Sequence, residues 1–263
     1  MGSFGVATAL GLHSERLRRL RALRTHKARR ELGRFAFEGP TLLAEAVAAG
    51  FPIEELYATQ AAYDSESLIR ELEAAGSEVF VVPDSAAQRI SDVQSPSGVL
   101  AVGPLRLKSA AALFAGGSPL LILADLNDPA NAGTLLRSAD AFGCAGVLFG
   151  RLGVDPYHPK VVRGSMGAVF RVPLAVADPA EAAAAAADAG VRVAGLAAWG
   201  KPIATPELAP PLAIVVGHER RGLGAWESLC ANVFSIPMRG RAESLSAAVA
   251  GSIALYEASV FTA

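Results

Sequence analysis

Apolar positions along the chain follow two periods, and the changes between them lay out the elements. Leu17, Leu20 and Leu23 recur at helical spacing among arginines, which predicts a basic amphipathic helix with its leucines docked and its charges outside. Next come an apolar segment at 35–37, a helix over 41–49 closed by Gly50, and a short strand over 53–57. A second helix over 65–75 closed by Gly76 leads to strands at 79–82 and 99–102. The stretch 105–119 loses clear periodicity and ends in Gly116-Gly117-Ser118-Pro119, a turn signal. Beyond it, apolar runs at 120–124, 146–149, 169–174, 191–196, 212–216 and 234–236 alternate with helical stretches, including an Ala-rich one at 179–189. Near-continuous apolar strands separated by helices predict a parallel sheet covered on both faces. The expected division is a flexible tail 1–14, a small α/β domain 15–104 opened by the basic helix, a linker 105–118, and an α/β domain 119–263.

Composition adds little to that picture except by exclusion. At 52% hydrophobic and 19% charged residues, the chain is an ordinary globular α/β protein. No apolar run reaches the roughly 20 residues of a membrane-spanning helix, and the basic cluster follows the mildly apolar first residues, the wrong order for a secretory signal. Cys144 and Cys230 have no local partner and no metal-type spacing, so the expected compartment is reducing, the cytoplasm by default. The four histidines, His13, His26, His158 and His218, show neither His-x-x-x-His nor a neighbouring cysteine pair, and no metal is expected.

The net charge is −1, yet nine of the 24 Lys and Arg fall between Arg16 and Arg34. Along the sequence only Glu15 and Glu31 oppose them there. This concentration is the footprint of a protein that neutralises phosphates, and Arg16, Arg19, Arg24, Lys27, Arg29, Arg30 and Arg34 are the candidate nucleic-acid contacts. A solvated helix face is the plain alternative.

Dinucleotide, P-loop and nucleophile-elbow signatures are absent; Gly164-Ser165-Met166-Gly167 is one residue out of register for the last. Three polar, glycine-bearing loops after predicted strands remain, where an open α/β sheet binds ligands. The first reads Asn131-x-Gly133-x-x-x-Arg137, with Asn131 placed to cap a helix and Arg137 in its second turn. The second reads Gly217-His-Glu219-Arg-Arg-Gly222-Leu223, and the third Ile236-Pro-Met238-Arg-Gly240 followed by Ser244-Leu245-Ser246 before an Ala-rich helix. Singly, each also reads as a cap, a surface cation or a tight turn.

Together, in order and spacing, these loops resemble the three motifs of the TrmH/SpoU branch of the SPOUT family of RNA methyltransferases. The segment 160–170 looks like that family's stretch between its first two motifs. Arg34-Phe-Ala-Phe-Glu-Gly39 and Gln94-Ser-Pro-Ser-Gly-Val99 look like its small substrate-binding domain. The resemblance implies a parallel-sheet SPOUT domain tied in a deep trefoil knot, preceded by a ribosomal-protein-like RNA-binding domain. It further implies a homodimer, with the final helix and its Val249, Ile253 and Tyr256 as the pairing element. The implied activity is methyl transfer from S-adenosylmethionine to a ribose 2′-hydroxyl, in rRNA first, with a tRNA as the alternative substrate. By the same resemblance Asn131, Arg137, Glu219 and Ser244 are the catalytic candidates. Gly217, Ile236, Met238, Leu245, Leu223 and Ser246 are those for the cofactor. Ser246 stands where the family usually has Asn, which opens the alternative of a non-catalytic RNA-binding or ribosome-assembly factor on the same fold.

Overall fold

A computed structural model describes residues 7–203, 205–218, 220–242 and 244–260, the side chains of 205 and 206 excepted. These divide into two compact units: one takes in the described residues up to Leu105 together with Tyr157–Phe170, the other Arg106–Pro156 and the residues from Arg171 onward.

In the first unit five strands, β1 (Thr8–Ala9), β2 (Arg34–Glu38), β3 (Glu55–Thr59), β4 (Val79–Val82) and β5 (Val99–Pro104), form a sheet in the order β1-β4-β3-β5-β2. β1 is parallel to β4, with Thr8 opposite Phe80, so residues expected in a flexible tail instead extend the sheet edge. The single basic helix resolves into two, Glu15–Ala22 and His26–Leu32, because Thr25 interrupts it. Its Oγ1 donates to the Ala22 carbonyl and accepts from the Ala28 N–H, ending one helix and capping the next. Leu17, Leu20 and Leu23 are buried against Phe80, Val82, Ile90 and Val102, as their spacing predicts.

A second core holds aromatic rings contributed by distant parts of the chain. Phe35 lies 4.5 Å from Tyr157 and 5.8 Å from Phe51, and Phe37 lies 4.8 Å from Phe170, between ring centroids. The run 169–174, read from sequence as one strand, is therefore two things. Its first residues lie in the short helix Ala168–Arg171, which buries Phe170 among these rings, and only after Pro173 does the strand at Leu174 begin.

The second unit is a seven-stranded sheet, parallel throughout: β6 (Leu107–Lys108), β7 (Leu120–Leu123), β8 (Gly146–Gly150), β9 (Leu174–Ala177), β10 (Arg192–Pro202), β11 (Leu212–Val216) and β12 (Asn232–Ser235), in the order β12-β10-β11-β7-β8-β9-β6. The expected linker 105–118 supplies β6 and the helix Ala110–Phe114, whose Leu113 and Phe114 enter the core, so it belongs to this unit. Alternation sends Leu120, Ile122, Ala213 and Val215 to one face, under the helix Pro179–Asp188 and Trp226. On the other face lie the helices Pro129–Ala141 and Ala247–Ser259. They touch through Ser138 and Ser252, whose Oγ atoms are 2.7 Å apart, and Gly251 keeps them close: a Cβ there would lie 2.4 Å from Leu135 Cδ2. No helix among the described residues is long and apolar enough to cross a membrane.

Candidate active site

After β9 the chain crosses back past β7 to lay down β10, then β11 between them, then β12 outside. Ligands bind beyond the carboxyl ends of strands at such a switch. A cavity of about 280 Å³ lies there, walled by 196–199 of β10, by Val216 to His218 after β11, and by Phe234 to Ile236 at the end of β12. Met238, Ser244, Leu245 and the first turn of the final helix complete it. Of the residues singled out in the sequence, Gly217, Ile236, Met238, Ser244 and Leu245 meet in this one cavity.

The turn after β11 dictates its glycine. His218 and Gly222 exchange two backbone hydrogen bonds of 2.9 Å, folding the chain back so tightly that a Cβ on Gly217 would lie 2.4 Å from the Gly222 carbonyl oxygen. His218 Nδ1 accepts from the Arg220 N–H at 3.0 Å. Its Nε2 lies 3.2 Å from the side-chain amide nitrogen of Asn127. That contact ties the loop after β7 to the loop after β11. The loop from β12 to the final helix, by contrast, has no regular structure over 236–246 apart from residue 243, which is not described, so its peptide groups are open to a ligand.

β7 ends in a strained residue that holds a neighbouring loop. Asp125 has φ +50°, its Oδ1 accepts from the Leu152 N–H at 3.1 Å, and its Oδ2 accepts from Trp226 Nε1 at 2.9 Å. Only glycine fits at 150, where a Cβ would lie 2.3 Å from Asp125 Oδ1. This anchor has no recognisable signal in the sequence, since a lone Asp after a strand reads as a turn.

Several expectations change here. Asn131 does not cap its helix: the Asp128 side chain does so, accepting from the Ala130 N–H at 2.9 Å. Asn131 and Arg137 lie outside the cavity wall, six residues apart on one helix, about 9 Å along its axis and about 120° around it. Arg137 is exposed, and its guanidinium pairs with no described carboxylate. Leu223 is 3% exposed and packs in the core against Gly195, since a leucine behind so tight a turn points inward. Ser246, a cofactor candidate from the sequence, instead caps the final helix, accepting from the Val249 N–H at 3.3 Å, and does not line the cavity. Glu219 lies outside the described residues. Neither cysteine is poised as a nucleophile, because burial pushes Cys144 up to about 12 and Cys230 up to about 11.

The basic N-terminal segment is more neutralised than its sequence suggests. Arg16 pairs with Glu55 and Glu78, Arg34 with Glu54 and Glu55, Arg19 with Glu15, and Lys27 with Glu31. Glu54, Glu55 and Glu78 are distant in sequence, which is why their opposition is invisible there. Glu55 also accepts from the Tyr57 hydroxyl, and burial followed by this contact pushes the phenol upward. Arg29 cannot face RNA: it is 2% exposed and donates to the Leu23 and Arg24 carbonyls at 2.9 and 3.0 Å, closing the end of the preceding helix. Arg24 and Arg30 remain exposed, with guanidinium groups unpaired among the described residues. No group of three or more His, Cys, Asp or Glu among the described residues is placed to hold a metal ion.

Comparison with known proteins gives a consistent set of relatives. Residues 118–256 match the model of the SpoU rRNA Methylase family, and residues 14–101 that of the MRM3-like substrate binding domain. The 23S rRNA (guanosine(2553)-2′-O)-methyltransferase RlmP of Bacillus subtilis is 26% identical over 92% of this chain and 95% of its own length. An uncharacterized tRNA/rRNA methyltransferase of Mycobacterium avium is 34% identical over 90% of this chain and 79% of its own. Among solved structures, the AdoMet-bound rRNA methyltransferase from Sinorhizobium meliloti superposes with a TM-score of 0.83 at 26% identity, covering 97% of this chain and 98% of that one.

Proposed function

This chain belongs to the SpoU rRNA methylase family, and from that premise we propose that it transfers a methyl group from S-adenosylmethionine to a ribose 2′-hydroxyl of ribosomal RNA. The observation that carries the reading is the convergence of Gly217, Ile236, Met238, Ser244 and Leu245 on one cavity at the strand switch. The cavity fits the donor: its volume of about 280 Å³ suits a nucleoside-sized ligand partly open to solvent, and its walls combine apolar side chains with bare peptide groups. Backbone at Gly217, Ile236 and Leu245 would hold the adenine, with Met238 on an apolar side. Once bound, S-adenosylmethionine supplies an electrophilic methyl on a sulfonium.

The protein's own task is to present the ribose oxygen in line and to manage its proton. Arginine is too weak an acid to serve as a base at neutral pH. Arg137 instead stabilises the alkoxide as it develops, with the hydroxyl proton passing to solvent water, and binds the adjacent phosphate. Neither Arg137 nor Asn131 lines the cavity of its own chain. A homodimer in which one protomer's Arg137 serves its partner's cavity resolves this. The final helix supports such pairing, since Val249, Tyr256 and Val260 form an exposed apolar stripe, 47%, 56% and 54% accessible. Ser244 positions the loop beside the ribose, and Glu219 is assigned to steadying the turn that follows β11. A return of β12 beside β10 is compatible with the family's trefoil knot, and a cytoplasmic site of action follows from a ribosomal substrate. The test is incubation with methyl-labelled S-adenosylmethionine and separated rRNA and tRNA, followed by mapping of ribose methylation; label confined to tRNA, or none in either, refutes the proposal.

A further inference from the structure

β10 outruns its neighbours. Its pairing with β11 ends at Leu196 opposite Val216, and its register with β12 breaks between Leu196 and Lys201. The intervening residues 197–199 form the outer wall of the cavity and carry Trp199, an indole that is 66% exposed; the other tryptophan, Trp226, is 1% exposed. An indole left in water at the rim of a cavity is a large apolar surface without an internal partner, the kind of feature that marks a contact site.

The segment is held firmly. A Cβ on Gly200 would lie 2.6 Å from the Phe234 carbonyl carbon, so Gly200 rests directly on β12, and Ser235 Oγ donates to the Gly200 carbonyl at 2.7 Å. Lys201 sits 5.1 Å from the Phe234 ring centroid and pairs with Glu207 at 2.7 Å. Trp199 is thus presented on a fixed strand.

Four arginines belong to the loops that wall the same cavity. Arg220 and Arg221 lie between the wall residues His218 and Gly222, Arg239 follows Met238, and Arg241 precedes Ser244 by three residues. All four are exposed, and none of their guanidinium groups pairs with a described carboxylate, in contrast to Arg16, Arg18, Arg19 and Arg34. An aromatic plane beside exposed cations is the arrangement that binds single-stranded nucleic acid.

Resting on the methyltransferase reading above, we infer that Trp199 stacks on the base of the nucleotide to be methylated. Arg220, Arg221, Arg239 and Arg241 neutralise the phosphates around it. The substrate class is accordingly an unstacked nucleotide in an RNA loop, not one inside a duplex. Trp199 is a substrate-binding residue: its ring stands at the solvent rim of the cavity, whereas the peptide groups assigned to adenine lie at the strand ends.

The test compares wild type, Trp199→Ala and Trp199→Phe. Three quantities are measured: the KM for rRNA, S-adenosylmethionine affinity by calorimetry, and quenching of tryptophan emission by a short unstructured RNA. Trp199→Ala is expected to raise the RNA KM about tenfold, equal to about 1.4 kcal/mol, with a smaller change in cofactor affinity and Tm unchanged. Trp199→Phe is expected to restore most of the loss, and RNA quenching to vanish in both variants. Replacing the four arginines by Ala lowers the slope of log affinity against log salt by about 0.7 for each phosphate no longer neutralised. An unchanged RNA KM in Trp199→Ala, or a loss of cofactor affinity alone, overturns the inference. If wild type methylates no RNA, the reading beneath it has failed, and the quenching arm still decides the stacking: no quenching in wild type overturns it. If wild type is active and Trp199→Ala is indifferent, only the stacking has failed.

Discussion

Asp125→Ala isolates the contribution of one carboxylate that holds two loops from a strained backbone. In the wild type its Oδ2 satisfies the indole N–H of Trp226, a side chain 1% exposed, and its Oδ1 satisfies the Leu152 N–H. The indole bond to a charged acceptor is worth about 1.5–3 kcal/mol, because its loss leaves a buried donor unpaired; the more exposed Leu152 bond adds about 1 kcal/mol. Alanine keeps a Cβ at φ +50°, so the backbone strain is not relieved. The expected loss is therefore about 3 kcal/mol, or a fall in Tm of roughly 6–12 °C for a chain of this size. Asp125→Gly loses the same bonds but sheds the strain, and should lie about 1 kcal/mol above Asp125→Ala. Asp125→Asn keeps one acceptor oxygen and should be milder than either. Thermal and urea unfolding, followed by Trp226 emission, give the order directly. A Trp226→Phe background should remove most of the difference between Asp and Ala, since the two residues act as a pair. The reasoning is refuted if Asp125→Ala lies within about 0.5 kcal/mol of wild type, or if it is more stable than Asp125→Gly.

Arg137→Ala should abolish methyl transfer while calorimetric S-adenosylmethionine binding survives; unchanged turnover would remove this residue from the mechanism. Gly217→Ala forces a Cβ to within 2.4 Å of the Gly222 carbonyl oxygen. The turn must shift by about 1 Å to reach ordinary contact, and cofactor affinity measured by calorimetry should weaken at least about tenfold, a change of about 1.4 kcal/mol. Arg29→Ala removes two buried hydrogen bonds to carbonyls and should cost about 2–4 kcal/mol of stability, yet leave the salt dependence of RNA binding where it was. An altered salt slope with unchanged Tm would show instead that Arg29 faces phosphate.

What the sequence reveals and what it hides divide along a physical line. Strands buried on both faces are uniform apolar runs, and 79–82 and 212–216 are readable to the residue. The three loops are readable because their glycines and polar residues recur in a fixed order. Partnership at a distance is not readable. The glutamates that neutralise Arg16 and Arg34 come from other strands, and nothing in Arg29's neighbours says that it turns inward. Trp199 escapes notice for a different reason: it continues an apolar strand, and only the end of its pairing with β11 leaves it in solvent. The short helix holding Phe170 resembles a strand in sequence because an aromatic cluster, not local periodicity, decides its conformation.

The aromatic core of the first unit borrows Tyr157 and Phe170 from the midst of the methyltransferase segment. Any chimera that exchanges recognition modules between relatives has to transplant two pieces of polypeptide. A graft cut at Leu105 alone would strip two rings from the borrowed cluster and expose Phe35 and Phe37. Such a hybrid should be insoluble when a two-piece exchange is not. In lineages that diversify their RNA targets, changes in 157–170 are then expected to travel with changes in the amino-terminal residues.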